Sequence, residues 1–145
     1  MPHTPSRRCA FTLIEIVLVL AIAGCIVLIG LRQLHLLLDR IATRDAVRLA
    51  GAVVARARDE AIAMHTPVSV VIDTAAATLE LRTRTDTFGR TPLGSVHGVA
   101  LSATRDSIMF DVRGLGYGAA NLTMVARRGV AADTLTVSRL GRVRY

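Results

Sequence analysis

The chain of 145 residues contains no lysine and no tryptophan, and aromatic residues make up only 3% of it. Without lysine it cannot carry the phosphate-binding lysine of a P-loop, and no G-x-S-x-G motif is present. The four histidines, His3, His35, His65 and His97, do not have the spacing of metal ligands. These absences argue against an enzyme, and we expect no catalytic residue, no metal and no cofactor.

The two cysteines, Cys9 and Cys25, both lie near the N-terminus. The rest of the chain therefore has no disulfide framework, which does not argue against a location outside the cytoplasm. The scarcity of aromatic residues leaves no array of rings on which nucleic-acid bases could stack. Tyr117 and Tyr145 are the nearest candidates for that role.

All 18 basic residues are arginine, and with 11 acidic residues they give a net charge of +7. The excess is uneven, because residues 111–145 carry six arginines and only two aspartates. Such a basic segment is typical of a solvated surface, and it can also bind phosphates or an acidic partner.

The longest apolar run extends from Ala10 to Leu31, and Glu15 is the only charge among its 22 residues. As a helix, this run is about 33 Å long, enough to cross a bilayer core of about 30 Å. One interpretation is a secretory signal peptide, with "IAGC" (22–25) as a lipoprotein cleavage box. Because apolar residues continue past Cys25, a membrane anchor fits better, with Glu15 near one end of it.

A second helical pattern follows the apolar run, from Gln33 to Met64. Its apolar residues recur mainly at spacings of three and four, which predicts an amphipathic helix that ends before Pro67. Many of these residues are alanine, so a sheet can approach this helix closely. The predicted stripe is Leu38, Ile41, Ala42, Ala46, Leu49, Val53, Ala57, Ala61 and Met64.

Beyond Pro67 the apolar pattern has a period of two, which predicts five to seven short and mostly antiparallel strands. The segment "GLGYG" (114–118) follows a strand but precedes no helix, so we interpret it as a turn and not as a dinucleotide site. The sequence therefore predicts an α+β fold. A long N-terminal helix, membrane-spanning in its first half, packs on a small antiparallel β-sheet or sandwich domain.

The stretch "RRCAFTLIEIVLVLAIAG" (7–24) resembles the class III signal of type IV pilins and type II secretion pseudopilins. That signal has a short basic leader, a small residue and then a Phe-Thr-Leu-Ile-Glu start to a long apolar helix. The resemblance implies cleavage by a prepilin peptidase between Ala10 and Phe11 and methylation of the new Phe11 amine. It also implies that Glu15 pairs with the amine of a neighbouring subunit during assembly.

This sequence departs from the family pattern at two positions. Ala10 stands where the family usually has glycine before the cut, and Arg32 follows the span where major pilins have a helix-kinking proline. The resemblance divides the chain into a leader (1–10), a transmembrane helix half (11–31), an amphipathic helix half (32–66) and a C-terminal β domain (67–145).

The same resemblance implies a single-pass protein of the bacterial inner membrane. Its N-terminus would be cytoplasmic and its C-terminal domain periplasmic. The implied partners are the inner membrane, the prepilin peptidase and other pilins or pseudopilins.

Three further segments are similar to the GspH/FimT group of minor pseudopilins: "ARARDEAIAMHTPVSVVID", "IMFDVRGLGYG" and "LTVSRLGRVRY". This similarity implies a minor subunit of a type II secretion pseudopilus or of a type IV pilus, with the pilin-like fold. The alternative is a FimT-like pilus tip subunit that binds DNA during uptake through its Gly-Arg-x-Arg ending.

In this sequence that ending is Gly141, Arg142, Val143 and Arg144. On a strand, Arg142 and Arg144 point to the same face. Three more arginines extend the candidate DNA surface: Arg127, Arg128 and Arg139. Arginine forks suit phosphate oxygens, so such contacts would be independent of base sequence and sensitive to salt.

Overall fold

The computed structural model of the chain describes residues 12–117 and 121–145. The chain divides into two compact units, residues 1–35 and residues 36–145, and each is described by itself. The helices in the described residues are α1 (Leu13–Ala63) and α2 (Leu93–His97). The strands are β1 (Val68–Asp73), β2 (Thr78–Arg82), β3 (Thr87–Pro92), β4 (Ala100–Ala103), β5 (Ser107–Phe110), β6 (Gly116–Tyr117), β7 (Leu122–Arg128), β8 (Ala131–Val137) and β9 (Val143–Arg144).

Helix α1 includes both helical segments that the sequence predicts. It ends at Ala63, and His65 then adopts a left-handed backbone conformation with φ of 50°. Pro67 follows immediately before β1, so the end of the helix agrees with the position of the proline. In the unit of residues 1–35, all the described side chains of α1 are exposed.

In the second unit, α1 buries a narrow face made mostly of small residues. Its buried members are Thr43, Ala46, Val47, Ala50, Gly51, Val53, Val54, Ala57 and Ala61. Four members of the predicted stripe are instead exposed, namely Leu38, Ile41, Leu49 and Met64. In one helix, apolar residues on two neighbouring faces can both recur at spacings of three and four. The spacing alone therefore did not identify the face that packs on the sheets.

The strands form two sheets in which every pair of neighbours is antiparallel. The five-stranded sheet has the order β3-β2-β1-β5-β6, and the four-stranded sheet has the order β4-β7-β8-β9. The hairpin of β1 and β2 closes through Asp73, whose carboxylate accepts the Ala75 and Ala76 backbone N–H groups at 3.0 and 2.9 Å. An aspartate at the start of a turn fixes it in this way.

The core lies between the buried face of α1 and the inner faces of both sheets, and its buried residues form one cluster. Alternate residues of the long strands point into it, as in β1 with Val68, Val70 and Ile72. Phe110 of β5 is its largest fully buried side chain. The predicted α+β fold, a long N-terminal helix packed on antiparallel sheets, is confirmed.

The details of the strands differ from the prediction, since nine are present in the described residues and five to seven were expected. Between residues 95 and 103, the first part belongs to α2 and only the last part forms β4. The C-terminal segment forms two strands, β8 and β9, that pair with each other. Elements of two to five residues are too short to show a recognisable period in the sequence.

Candidate assembly site and arginine surface

The start of α1 carries Glu15, the predicted assembly charge, in its first turn. The Glu15 backbone N–H donates to the Thr12 hydroxyl at 3.3 Å and to the Thr12 carbonyl at 3.1 Å. Thr12 thus caps the helix, and the T-x-x-E spacing is that of a capping box. Sequence reasoning missed this role of Thr12, although the spacing is a known signal for a helix start.

The Glu15 side chain is exposed, so its carboxylate is accessible to a group outside this chain. The positive end of the helix dipole also favours an acid in this turn. The other predicted residues of this site, Ala10 and Phe11, lie outside the described residues, as does the rest of the leader.

The apolar part of α1 has the length and composition of a membrane span. Its most apolar window of 18 residues has a mean hydropathy of 2.9, and none of that window is buried within the described structure. In the described ranges, no other helix is long and apolar enough to cross a membrane.

The Gly-Arg-x-Arg ending forms the turn and the edge strand that close the four-stranded sheet. The Gly141 N–H donates to the Ser138 carbonyl and the Ser138 N–H donates to the Arg142 carbonyl, both at 2.8 Å. Gly141 has a φ of 73°, a backbone conformation that residues other than glycine rarely adopt. Its conformation completes the tight hairpin between β8 and β9, so this glycine has a structural role in the turn.

Arg142 and Arg144 are exposed on either side of Val143. Val143 packs against the core and lies opposite the buried Val137. Because side chains alternate along a strand, Arg144 points away from the core, opposite Thr136. The structure therefore presents these arginines at the outer side of the edge strand β9.

Arg139 lies within the same turn, and its side chain is exposed. Its carbonyl oxygen accepts the Gly116 N–H at 3.0 Å. This bond ties β6, the edge of the five-stranded sheet, to the turn that closes the four-stranded sheet. The position of the predicted arginine surface is thereby fixed relative to both sheets.

The neighbouring residues Arg127 and Arg128 differ in their surroundings. Arg127 is exposed, whereas Arg128 is half-buried. The Arg128 Nε lies 3.0 Å from a carboxylate oxygen of Asp39 on α1, and its Nη1 donates to the His97 carbonyl at 2.7 Å. The structure thus separates Arg128, which links α1 to the end of α2, from the exposed arginines.

The exposed members of the predicted surface are Arg127, Arg139, Arg142 and Arg144. In the described part of the chain, none of the four has an acidic oxygen within 4.0 Å. Their guanidinium groups are therefore accessible to an anionic partner.

Tyr145 follows Arg144 and reaches the surface of α1 at Gly51. A side chain at Gly51 would collide with the Tyr145 hydroxyl group, so the ring needs the glycine in order to lie there. Tyr145, Arg44 and Arg48 line a cavity of about 210 Å³ together with Asp133 of β8. Sequence reasoning did not predict this contact. The feature that could have indicated it is Gly51, the only glycine between Gln33 and Met64 in a segment that is otherwise typical of a helix.

The turn that follows β5 is organised by Asp111. One carboxylate oxygen of Asp111 accepts the Leu115 N–H at 2.8 Å and the Arg113 N–H at 2.9 Å. The hydrogen bond from Leu115, together with those from Arg113, lowers the pKa of the Asp111 carboxyl below its usual value. The start of the predicted "GLGYG" turn is thus held by a carboxylate.

In the described ranges, no three histidine, cysteine, aspartate or glutamate side chains lie together in a group that could hold a metal ion.

Comparisons with known proteins bear on the N-terminal motif and on the fold. Residues 5–31 match the family described as the prokaryotic N-terminal methylation motif. No curated protein matches the chain by sequence. A crystal structure of the type IV minor pilin FimU from Pseudomonas aeruginosa superposes with a TM-score of 0.62 at 13% identity, covering 73% of this chain and 89% of that one. A second crystal form of FimU gives a TM-score of 0.58 at 13% identity, covering 70% and 90%.

A match to the N-terminal methylation motif at the start of a long helix, together with a fold shared with a type IV minor pilin, makes the chain similar to type IV pilin-like proteins. Two crystal structures of the minor pilin FimU share its fold. The predicted resemblance to pilins is therefore confirmed at the level of the motif and the fold.

Proposed function

We propose that this protein is a minor subunit of a type IV pilus or of a type II secretion pseudopilus, and that it acts by assembly and not by catalysis. The observation that carries the proposal is the methylation motif of residues 5–31 joined to a helix that is capped by Thr12 and has an accessible Glu15 in its first turn. In this proposal the prepilin peptidase cuts between Ala10 and Phe11, and the new Phe11 amine is methylated.

Before assembly, the subunit would reside in the bacterial inner membrane. The apolar part of α1 spans the bilayer once, the leader is cytoplasmic and the β domain is periplasmic. The resemblance of the leader to class III signals supports this orientation. The arginines that follow the span do not support it, because arginines close to the end of a span favour the cytoplasmic side; they are Arg32, Arg40, Arg44 and Arg48.

Glu15 gives the assembly step its specificity in this proposal. An ionised carboxylate in a medium of low dielectric is unfavourable until a cation lies beside it. The Phe11 amine of a neighbouring subunit provides that cation in only one axial register. The pairing thus selects one arrangement of adjacent helices over slipped ones.

Mass spectrometry of the mature protein from its native membrane tests the proposal. The expected mass is that of a chain that begins at Phe11 and carries one added methyl group. Ala10→Gly, which restores the usual residue before the cut, should be processed at least as well, whereas Ala10→Glu should leave the leader attached. An intact wild-type leader, or a chain that begins at a lipidated Cys25, would refute the proposal.

The GspH/FimT similarity leaves two systems, protein secretion and the type IV pilus. Among the described residues, the four exposed arginines have no acidic oxygen within 4.0 Å, and this favours a second function, the binding of DNA through the Gly-Arg-x-Arg ending. Arg142 and Arg144 lie at an accessible edge of the sheet, where their guanidinium groups can contact phosphates.

The full chain in a non-ionic detergent should retard duplex DNA at low salt, and the retardation should weaken as salt rises. Arg142→Ala with Arg144→Ala should abolish the shift. The matched control is Arg56→Ala with Arg90→Ala, because both of these arginines already face glutamates, Glu60 and Glu80. If the wild type gives no shift at low salt, the protein does not bind DNA in this way.

A further inference from the structure

A row of arginines lies on α1 within the second unit and plays no part in the functions proposed so far. Arg40, Arg44 and Arg48 are exposed and spaced four residues apart, so they lie along one side of the helix. In the described part of the chain, none of the three has an acidic oxygen within 4.0 Å. We call these three residues the helix arginines.

The helix arginines lie beside open grooves that reach the four-stranded sheet. Arg40 and Arg44 line a cavity of about 460 Å³ with the loop after β7 and the start of β8. Arg44 and Arg48 line the adjoining cavity of about 210 Å³ with Tyr145. Arg44 is common to both cavities, so the two form one basic groove along α1.

Tyr145 connects this groove to the C-terminal arginines. Its ring points to α1 at Gly51, while Arg144, the residue before it, points to the opposite side of β9. Strand β9 is the edge strand of its sheet, so the groove lies on one face of this strand and the Arg144 side chain on the other. The helix arginines and the C-terminal arginines thus lie on two sides of one exposed edge.

One acid, Asp133, opposes this positive charge. Its side chain lines both cavities, and one of its oxygens accepts the Thr134 N–H at 2.9 Å. Asp133 is a single carboxylate among three guanidinium groups, so the groove remains net positive.

The spacing of the helix arginines suits a nucleic-acid backbone. Arg40 and Arg48 are eight residues apart, or about 12 Å along the helix. Phosphates on one strand of duplex DNA recur about every 3.4 Å along its axis, so about three or four of them fit beside the row. A basic stripe along a helix is the usual electrostatic mark of a nucleic-acid contact.

We propose that Arg44 and Arg48 bind phosphates of the same DNA that the C-terminal arginines contact. The DNA site is then a strip that passes from α1 across the edge of β9, with Arg40 at its far end. This inference rests on the proposed DNA binding, and it extends the site from one turn to two elements. Asp133 limits the affinity of the strip.

The test compares three double variants of the full chain in non-ionic detergent by their affinity for a short duplex at several salt concentrations. Arg44→Gln with Arg48→Gln removes the two helix arginines. Arg142→Gln with Arg144→Gln removes the C-terminal pair, and Arg56→Gln with Arg90→Gln is the control. All three lose two positive charges, so only the position of the charge differs. Melting temperatures confirm that each variant is folded.

Each phosphate contact contributes about 0.9 to the slope of log affinity against log salt. The helix variant should therefore show a slope smaller by about 1.8 than the wild type. Across a change from about 50 to 200 mM salt, the wild type should lose about tenfold more affinity than this variant. Asp133→Asn should change affinity in the opposite direction and tighten binding. The control should keep the wild-type slope.

The outcomes separate the inference from the function on which it rests. If the helix variant behaves like the control while the C-terminal variant loses binding, the helix arginines are not part of the site but DNA binding stands. If the wild type does not bind duplex DNA, both are overturned. If the helix variant loses affinity for polyglutamate but not for DNA, the groove binds an acidic protein segment and the inference is wrong.

Discussion

At the scale of single residues, the contact between Gly51 and Tyr145 links a helix position to the end of β9. Alanine at an internal helix position is usually more stable than glycine by about 1 kcal/mol. In Gly51→Ala that gain is offset, because the new methyl group would displace the Tyr145 ring. Tyr145 is 69% exposed, so it can move away at little cost. We expect the stability to change by less than about 1 kcal/mol while the Tyr145 ring becomes fully exposed.

Tyrosine fluorescence measures this change, because the chain has no tryptophan and only two tyrosines. In a Tyr117→Phe background the signal comes from Tyr145 alone. Iodide should quench it more strongly after Gly51→Ala. Gly30→Ala is the control, since nothing lies within 4 Å of the added methyl group. Equal quenching in both variants would show that Tyr145 does not rest on Gly51.

Hydrogen bonds within the turn that follows β5 shift the pKa of the Asp111 carboxyl. Its pKa is lowered from 3.8, chiefly by the hydrogen bond from the Leu115 N–H, so the folded chain favours its ionised form. A lowered folded pKa stabilises the fold fully above the unfolded value, and this contribution is lost as the pH falls through the folded value. Asp111→Asn should therefore lower the melting temperature at pH 7.

The same substitution should have progressively less effect as the pH falls below about 3.8, the unperturbed value. Thermal unfolding of the wild type and of Asp111→Asn across this range measures the difference. Asp59→Asn serves as the control, because Asp59 is exposed on α1 and makes no hydrogen bond or ion pair in the described part of the chain. A difference in melting temperature that grows on acidification would contradict the role given to Asp111.

At the scale of elements, Arg128 fastens α1 to β7 and to the end of α2. Its ion pair with Asp39 is partly exposed, with 41% and 23% of the two side chains accessible, so its contribution is modest. The hydrogen bond to the His97 carbonyl adds to it. We expect Arg128→Ala to lower the free energy of unfolding by about 1 kcal/mol.

Arg127→Ala is a natural control, since the adjacent arginine is exposed and should leave stability unchanged within about 0.5 kcal/mol. A double-mutant cycle of Arg128→Ala and Asp39→Ala, followed by chemical unfolding, isolates the ion pair. Its coupling energy should be about 0.5–1 kcal/mol. Equal effects of Arg127→Ala and Arg128→Ala would mean that this link does not hold the elements together.

The long elements could be predicted from sequence, and the short ones could not. The apolar run of α1 and the alternation in β1, β7 and β8 are strong periodic signals. Strands such as β6 and β9 are two residues long and exist only because a neighbouring strand pairs with them. The buried face of α1 could not be predicted from the sequence either, because the position of the two sheets decides which small residues of the helix are covered.

At the scale of the whole molecule, the predictable sites are those that lie within one stretch of sequence. Glu15 lies in one contiguous motif and the Gly-Arg-x-Arg ending is another, so both could be singled out from the sequence. Contacts such as Arg128 with Asp39 join residues far apart in the chain. No periodicity reports such a pair, and so the sequence could not distinguish Arg128 from Arg127.

The assembly that we propose for Glu15 is tested at the scale of the whole molecule, in the filament that it would join. Glu15→Gln keeps the size and the helical propensity of the side chain but removes its charge. The variant should still be inserted in the membrane and processed, because neither step needs the carboxylate. Its incorporation into filaments should fall about a hundredfold or more, since removing one partner of a buried ion pair costs about 3–5 kcal/mol.

Quantitative immunoblots of sheared filaments and of membranes, from cells that express each variant, measure this ratio. Glu15→Asp retains the charge on a shorter side chain and should restore incorporation in part. Glu60→Gln is the matched control, because it removes a carboxylate that pairs with Arg56 on the exposed surface of the same helix. The backbone hydrogen bond from Glu15 to Thr12 is kept in Glu15→Gln, so wild-type amounts of this variant in the filaments would mean that the carboxylate does not set the register of the assembly.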